Sequence, residues 1–197
     1  MKKFAGVVAA LFFLCLFAFH FCDLKSMIPL PEIQEEDLRG SMIEALGQAF
    51  RDRGVDVDFN SETGEMNLNA AVLFGGDSAA LTDEGKASLK EFFVVFAEVA
   101  FSEEYEGLVT KVVVEGHSAP LATSTYESGL PLSQERAANV RDFCLSEEIG
   151  LDAQLLERLA DKLVAEGLSN SQPILDADGQ VNLEASRRVT FRFYVEE

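Results

Sequence analysis

The sequence predicts an α+β fold: a two-layer sandwich whose mixed sheet carries its helices on one face, preceded by one transmembrane helix. Three observations predict it. Runs of period two ("VDVDFN", "MNLNAAVLF", "RRVTFRFYV") lie near both ends of the chain body, around a continuous apolar run, "LVTKVVVEG". Segments of helical period separate them, and strands with intervening helices of this order fold into two layers. A continuous apolar stretch opens the chain.

That stretch is "FAGVVAALFFLCLFAFHFC", residues 4–22. Its 19 residues span about 28 Å as a helix, close to a bilayer core. Lys2 and Lys3 before it and Asp23 after it place the N-terminus on the cytoplasmic side. The end "FAFHFCDL" has no small-residue cleavage pattern, so residues 1–23 read as an uncleaved anchor. His20 sits near the outer end, at headgroup level, and no Asp or Glu lies within residues 4–22.

Residues 24–54 read as a linker and an amphipathic helix. "LKSMIPLPEIQ" has two prolines and no period. Leu38, Met42, Ile43, Leu46, Ala49 and Phe50 then recur at helical spacing up to Gly54. This apolar face needs a cover: the domain's own sheet, or a second copy in a homodimer. Residues 55–197 form the domain. A hairpin spans residues 55–74, followed by the loop "GGDSAAL". Thr82 caps a helix with Asp83 and Glu84 in its first turn and an inward stripe of Leu89, Phe92, Phe93, Phe96 and Val99. "LVTKVVVEG", residues 108–116, is a buried strand. A second helix starts at Ser133 and turns Ala137, Val140, Phe143 and Cys144 inward. "DAQLLERLA" is a short third helix, "DKLVAEGLS" a strand, and residues 187–195 a last strand with Val189, Phe191, Phe193 and Val195 on one face.

The net charge of −18, from 34 acidic and 16 basic residues, repels nucleic acid and anionic lipid. An anionic ligand therefore needs a local basic feature. Three cysteines make no disulfide framework, and Cys15 and Cys22 follow bulky Leu14 and Phe21, which excludes a lipidation site. Cys144 reads as a small buried hydrophobe. Nothing indicates an enzyme. His117 and Ser118 are strand neighbours that point to opposite faces. No His/Cys cluster has metal-ligand spacing, and no cofactor is implied. "FGGDSAA" lacks the Lys-Ser/Thr of a phosphate loop, and "DADGQVNLE" is a turn rather than a calcium loop.

The basic feature is Arg136. Placed in the first turn after Ser133, it meets free N–H groups and the positive helix end, which favour a carboxylate. Strand alternation sets Arg187 on the side of Val189 and Arg188 on the opposite face, which leaves open which arginine joins Arg136.

The segments "VLFGGDSAALTDEGKASLKEF", "VVVEGHSAP", "LSQERAANV", "DKLVAEGLSNSQPI" and "SRRVTFRF" resemble the OmpA C-terminal-like (OmpA/MotB) domain family over residues 66–195. The single anchor and short linker resemble the MotB-like arrangement. The resemblance implies non-covalent binding of peptidoglycan through the diaminopimelate residue of its stem peptide. It implies a site of Arg136, Ser118, Ala119, Leu132, Arg187 and Arg188. It also implies an inner-membrane protein, with membrane contact through residues 4–22 and a periplasmic domain. Three positions depart from the family pattern. Ala119 stands where the family has the aspartate that pairs with the ligand ammonium. Gly129 and Ser186 each stand where it has asparagine. Glu127, in the same loop as Gly129, is a candidate replacement carboxylate. The alternative implied is a structural or stator-like subunit of an envelope complex, with a multi-span MotA-type partner and no diaminopimelate binding. Proton flux is disfavoured by the missing carboxylate within the span.

Overall fold

The structure, a computed structural model, describes residues 35–195. The anchor and linker readings for residues 1–34 lie outside the described residues. Among the described residues no helix is long and apolar enough to cross a membrane.

The elements run α1 (Glu35–Arg53), β1 (Asp58–Phe59), β2 (Met66–Asn69), α2 (Ala70–Leu73), α3 (Asp83–Ala100), β3 (Val109–His117), α4 (Tyr126–Cys144), α5 (Ala153–Ala160), β4 (Leu163–Ser169) and β5 (Arg188–Val195). The strands form one mixed sheet in the order β1-β2-β5-β3-β4. Only the β3–β4 pair is parallel. The α+β class and the mixed sheet are as predicted.

Alternation divides the sheet into two unlike faces. Met66, Leu68, Val112, Val114, Val189, Phe191 and Phe193 share one face, in register across β2, β5 and β3. They join one buried core with Leu89, Phe92, Phe93 and Phe96 of α3 and Ala137 and Val140 of α4. Phe92 meets Phe191 at a centroid distance of 4.9 Å and Phe50 at 5.6 Å, the spacing at which aromatic rings add to plain area burial. The apolar face of α1 (Met42, Ile43, Leu46, Phe50) is buried in this same core, so the chain itself covers that helix. The other sheet face carries Asn67, Thr190, Arg188, Arg192, Glu115 and His117.

Two sequence expectations are corrected. The alternation of "MNLNAAVLF" does not carry the hairpin strand to Phe74. The Oδ1 of Asn69 accepts from Ala71 N at 2.8 Å, and this cap turns the Ala-Ala-Val-Leu run into helix α2. The second long helix starts at Tyr126, not Ser133. Thr125 and Ser128 form a reciprocal cap there, and Pro131 is accommodated inside the helix. The Ser133 hydroxyl instead donates to Leu130 O at 3.0 Å and accepts from Ser169 N at 3.1 Å. A Pro-Leu-Ser run looks like a helix start because proline favours the first turn, but the earlier cap outcompetes it.

Helix α4 lies directly on the β3–β4 backbone. A Cβ on Gly116 would collide with the Ser133 carbonyl, and one on Gly167 with the Gln134 backbone. Gln134 closes the seam, its Oε1 accepting from Gly167 N at 2.7 Å. Gly116→Ala is therefore expected to cost about 1–3 kcal/mol. A lowered thermal midpoint by circular dichroism checks this, and an unchanged midpoint would contradict the close approach.

Candidate functional site

The C-terminal ends of β2, β3 and β4 and the N-terminal end of β5 meet at one end of the sheet. The loops 74–82, 118–125 and 170–187 gather there. Helix α1 begins at the opposite end, where Arg39 donates to Thr63 O and Ser41 bonds Tyr105.

Arg136 is 7% exposed and lies in the middle of α4, so the helix-mouth placement is corrected along with the helix start. Its guanidinium grips the 74–80 loop. Nε donates to Ser78 O at 3.0 Å and Nη2 to Gly76 O at 2.6 Å, with the plane 4.8 Å from the Phe74 ring centroid. Asn139, three residues on, donates to Ala79 O at 2.9 Å. The acceptors are neutral carbonyls, so no buried ion pair cancels the charge. Among the described residues Nη1 has no protein acceptor. Burial lowers the guanidinium pKa, Arg187 lowers it further, and Asp77 raises it.

Asp77 lies between the two carbonyls that hold Arg136, and it is exposed. Sequence reasoning missed it. Its one signal was a lone acidic residue after two glycines, which has no meaning until the loop is folded against α4. Glu127 is exposed in the first turn of α4 and makes no recorded contact with Arg136.

The two late arginines differ: Arg187 precedes β5 and is exposed, while Arg188 opens the strand and is buried. Arg187 is exposed and its charge reaches Arg136, while its carbonyl accepts from Ala70 N at 3.0 Å. Arg188 is buried on the other sheet face, with Nε to Thr190 Oγ1 at 3.1 Å and Nη1 to Gln172 O at 3.2 Å. It is not brought together with Arg136.

The three departures have structural explanations. Ala119 is 5% exposed, so the strand-exit position presents almost no surface. Gly129 faces the Ser118 and Ser169 hydroxyls so closely that any side chain there would displace them. Ser186 is fully buried, donating to Asn182 O at 2.6 Å and accepting from Ile174 N at 3.0 Å, and it pins the 170–187 loop. Ser118 is half-buried, its N–H donating to Ser169 O at 2.8 Å, and Leu132 is half-buried on α4. Cys144 is buried, and burial pushes its thiol well up. Among the described residues no group of three or more His, Cys, Asp or Glu could hold a metal.

Arg136→Ala is expected to free the 74–80 loop, raising amide exchange there and costing about 1.5–3 kcal/mol for each lost charged hydrogen bond. Arg136→Lys should fail to restore protection, because a point ammonium cannot serve two carbonyls and lie flat on Phe74. Full protection in the lysine variant would contradict the grip.

No family model matches the chain. It is 28% identical over 198 residues to the Zorya protein ZorB of Escherichia coli, covering 95% of this chain and 83% of that protein. It is 29% identical over 113 residues to outer membrane protein A of Escherichia fergusonii, covering 57% of this chain and 40% of that protein, so it spans less than half of it. The cell wall anchor of the T6SS from Pseudomonas aeruginosa superimposes with a TM-score of 0.51 at 24% identity, covering 77% of this chain and 97% of that one. A MotB-like protein from Desulfovibrio vulgaris superimposes with a TM-score of 0.54 at 19% identity, covering 83% and 96%.

Proposed function

We propose that this chain, which carries an OmpA/MotB-like domain, is an inner-membrane-anchored envelope protein whose periplasmic domain holds peptidoglycan without covalent chemistry. It is a structural protein, not an enzyme: the proteins it resembles are a cell wall anchor, a MotB-like protein and an outer membrane protein.

The observation that carries the reading is the cluster of Arg136, Arg187 and Asp77 at the loop end of the sheet. Two guanidinium groups and one carboxylate suit a zwitterionic ligand such as the diaminopimelate head group. Arg187 and the free edge of Arg136 take its carboxylate, and Asp77 takes its ammonium. Leu132 and Ser118 line the approach. Ala119 takes no charged part, and Arg188 acts only by holding the loop behind the site. The ligand end of the sheet is the one opposite the start of α1.

A second reading has a specific observation behind it. The likeness to ZorB runs over 95% of the chain, beyond the domain alone. In that reading the chain is a MotB-like subunit of an envelope complex, with a multi-span membrane partner and no retained wall ligand.

Sedimentation of the full chain with purified peptidoglycan at low salt separates the two. Wild type is expected in the pellet, and Arg187→Ala should weaken binding by roughly one to two decades, the equivalent of one charge-assisted contact. Asp77→Asn should weaken binding to intact wall, but not to wall whose diaminopimelate amines are acetylated. Wild type remaining in the supernatant would sink the wall-binding reading. Co-purification from detergent with a multi-span protein would then support the second.

A further inference from the structure

We propose that His117 is a proton-operated latch at the loop end of the sheet: neutral, it lets the β3 exit and the 170–187 loop close, and protonated, it drives that loop away from β5. The proposal rests on no assumption about the ligand.

The imidazole is sealed. Its side chain has no exposure; among the described residues Nδ1 has no hydrogen-bond partner, and Nε2 has only a long contact of 3.4 Å to Glu115 Oε2. That oxygen already accepts from Arg192 Nε at 2.9 Å, and Arg192 Nη1 is held by Glu65 at 2.7 Å. Sealing a polar ring with so little hydrogen bonding in return is costly.

The charges around it oppose a proton. Glu115 on the same strand is the one carboxylate acting on the ring, against Arg188 and Arg192 from the neighbouring β5. Burial, the largest effect, also holds His117 below its ordinary value. The closed form therefore binds the proton less tightly than an opened one. By linkage, proton uptake favours opening as pH falls below the ordinary histidine value of 6.5.

The mechanical connection is short. Arg188, whose charge opposes a proton on the ring, is the residue whose Nη1 holds Gln172 O at the start of the loop. Displacing Arg188 leaves that carbonyl without its donor. On the other side the β3–β4 register shifts between Gly116 and His117, opposite Ser169. Ser169 is a non-glycine at φ 48°, and its buried hydroxyl has no partner. Such a backbone conformation persists only while its surroundings enforce it. One proton thus acts on both borders of the arginine cluster: the strand leading to Ser118 and the loop ending at Arg187.

The test is an NMR pH titration of the full chain in detergent micelles, from pH 8 to about pH 4.5. The ring signals of His117 and the amides of residues 170–187 are expected to move with one shared midpoint below 6.5. His117→Gln should abolish the step in the loop amides and distinguish this ring from His20. Glu115→Gln, which removes the carboxylate that favours the imidazolium, should shift the midpoint to lower pH. Loop amides that ignore the ring titration, or a step that survives His117→Gln, would overturn the latch. If His117→Gln does not fold, an unmoved midpoint in Glu115→Gln overturns it instead.

Discussion

Helix α4 can lie on the β3–β4 backbone only because Gly116 and Gly167 have no side chains there. This contact sets the height of the helix over the sheet, and everything at the loop end depends on that height. At this separation Ser133 and Gln134 reach the β4 main chain and satisfy its donors at Ser169 and Gly167. Buried main-chain groups left unpaired would cost more than the apolar contact returns. Raised by one methyl group, α4 would lift Arg136 off the carbonyls of Gly76 and Ser78.

Arg136 then has two tasks that a surface arginine would not combine. Its Nε and Nη2 organise the 74–80 loop, and the charge they leave uncancelled feels Asp77 and Arg187. A guanidinium can do both because its donors form a rigid planar fork and its face can rest on Phe74. In a chain of net charge −18, this is a local positive feature at that end.

The second polar zone lies on the sheet face away from the core, where Glu65 just before β2, Arg192 of β5, and Glu115 and His117 of β3 form a ladder. Glu115 is nearly buried; burial acts to raise its pKa, but its bonds to His117 and Arg192 outweigh that and leave it lowered. Such a ladder contributes little net stability against an apolar alternative, yet removing one member strands the others. It gives the central strand two committed faces and fixes its register.

The α+β class, the order of the elements and the two-sided character of the last strand were legible in the sequence, because alternation and helical period are local properties. The same local rule set Arg188 on the face opposite Val189, where it is buried beside Thr190. Three matters were decided only by the tertiary structure. Thr125 and Ser128 start α4 a full two turns before Ser133, since competing caps differ by small energies that packing settles. Asp77 was brought up to Arg136 only when Arg136 captured the carbonyls on either side of it, across nearly sixty residues of chain. The small residues at 119, 129 and 186 looked like losses from a pocket, but each fits its packing: Ala119 is buried, Gly129 admits two serine hydroxyls, and Ser186 pins a loop. Sequence pattern determines which side of an element a residue takes; which residue it then meets depends on contacts made after the chain has closed on itself.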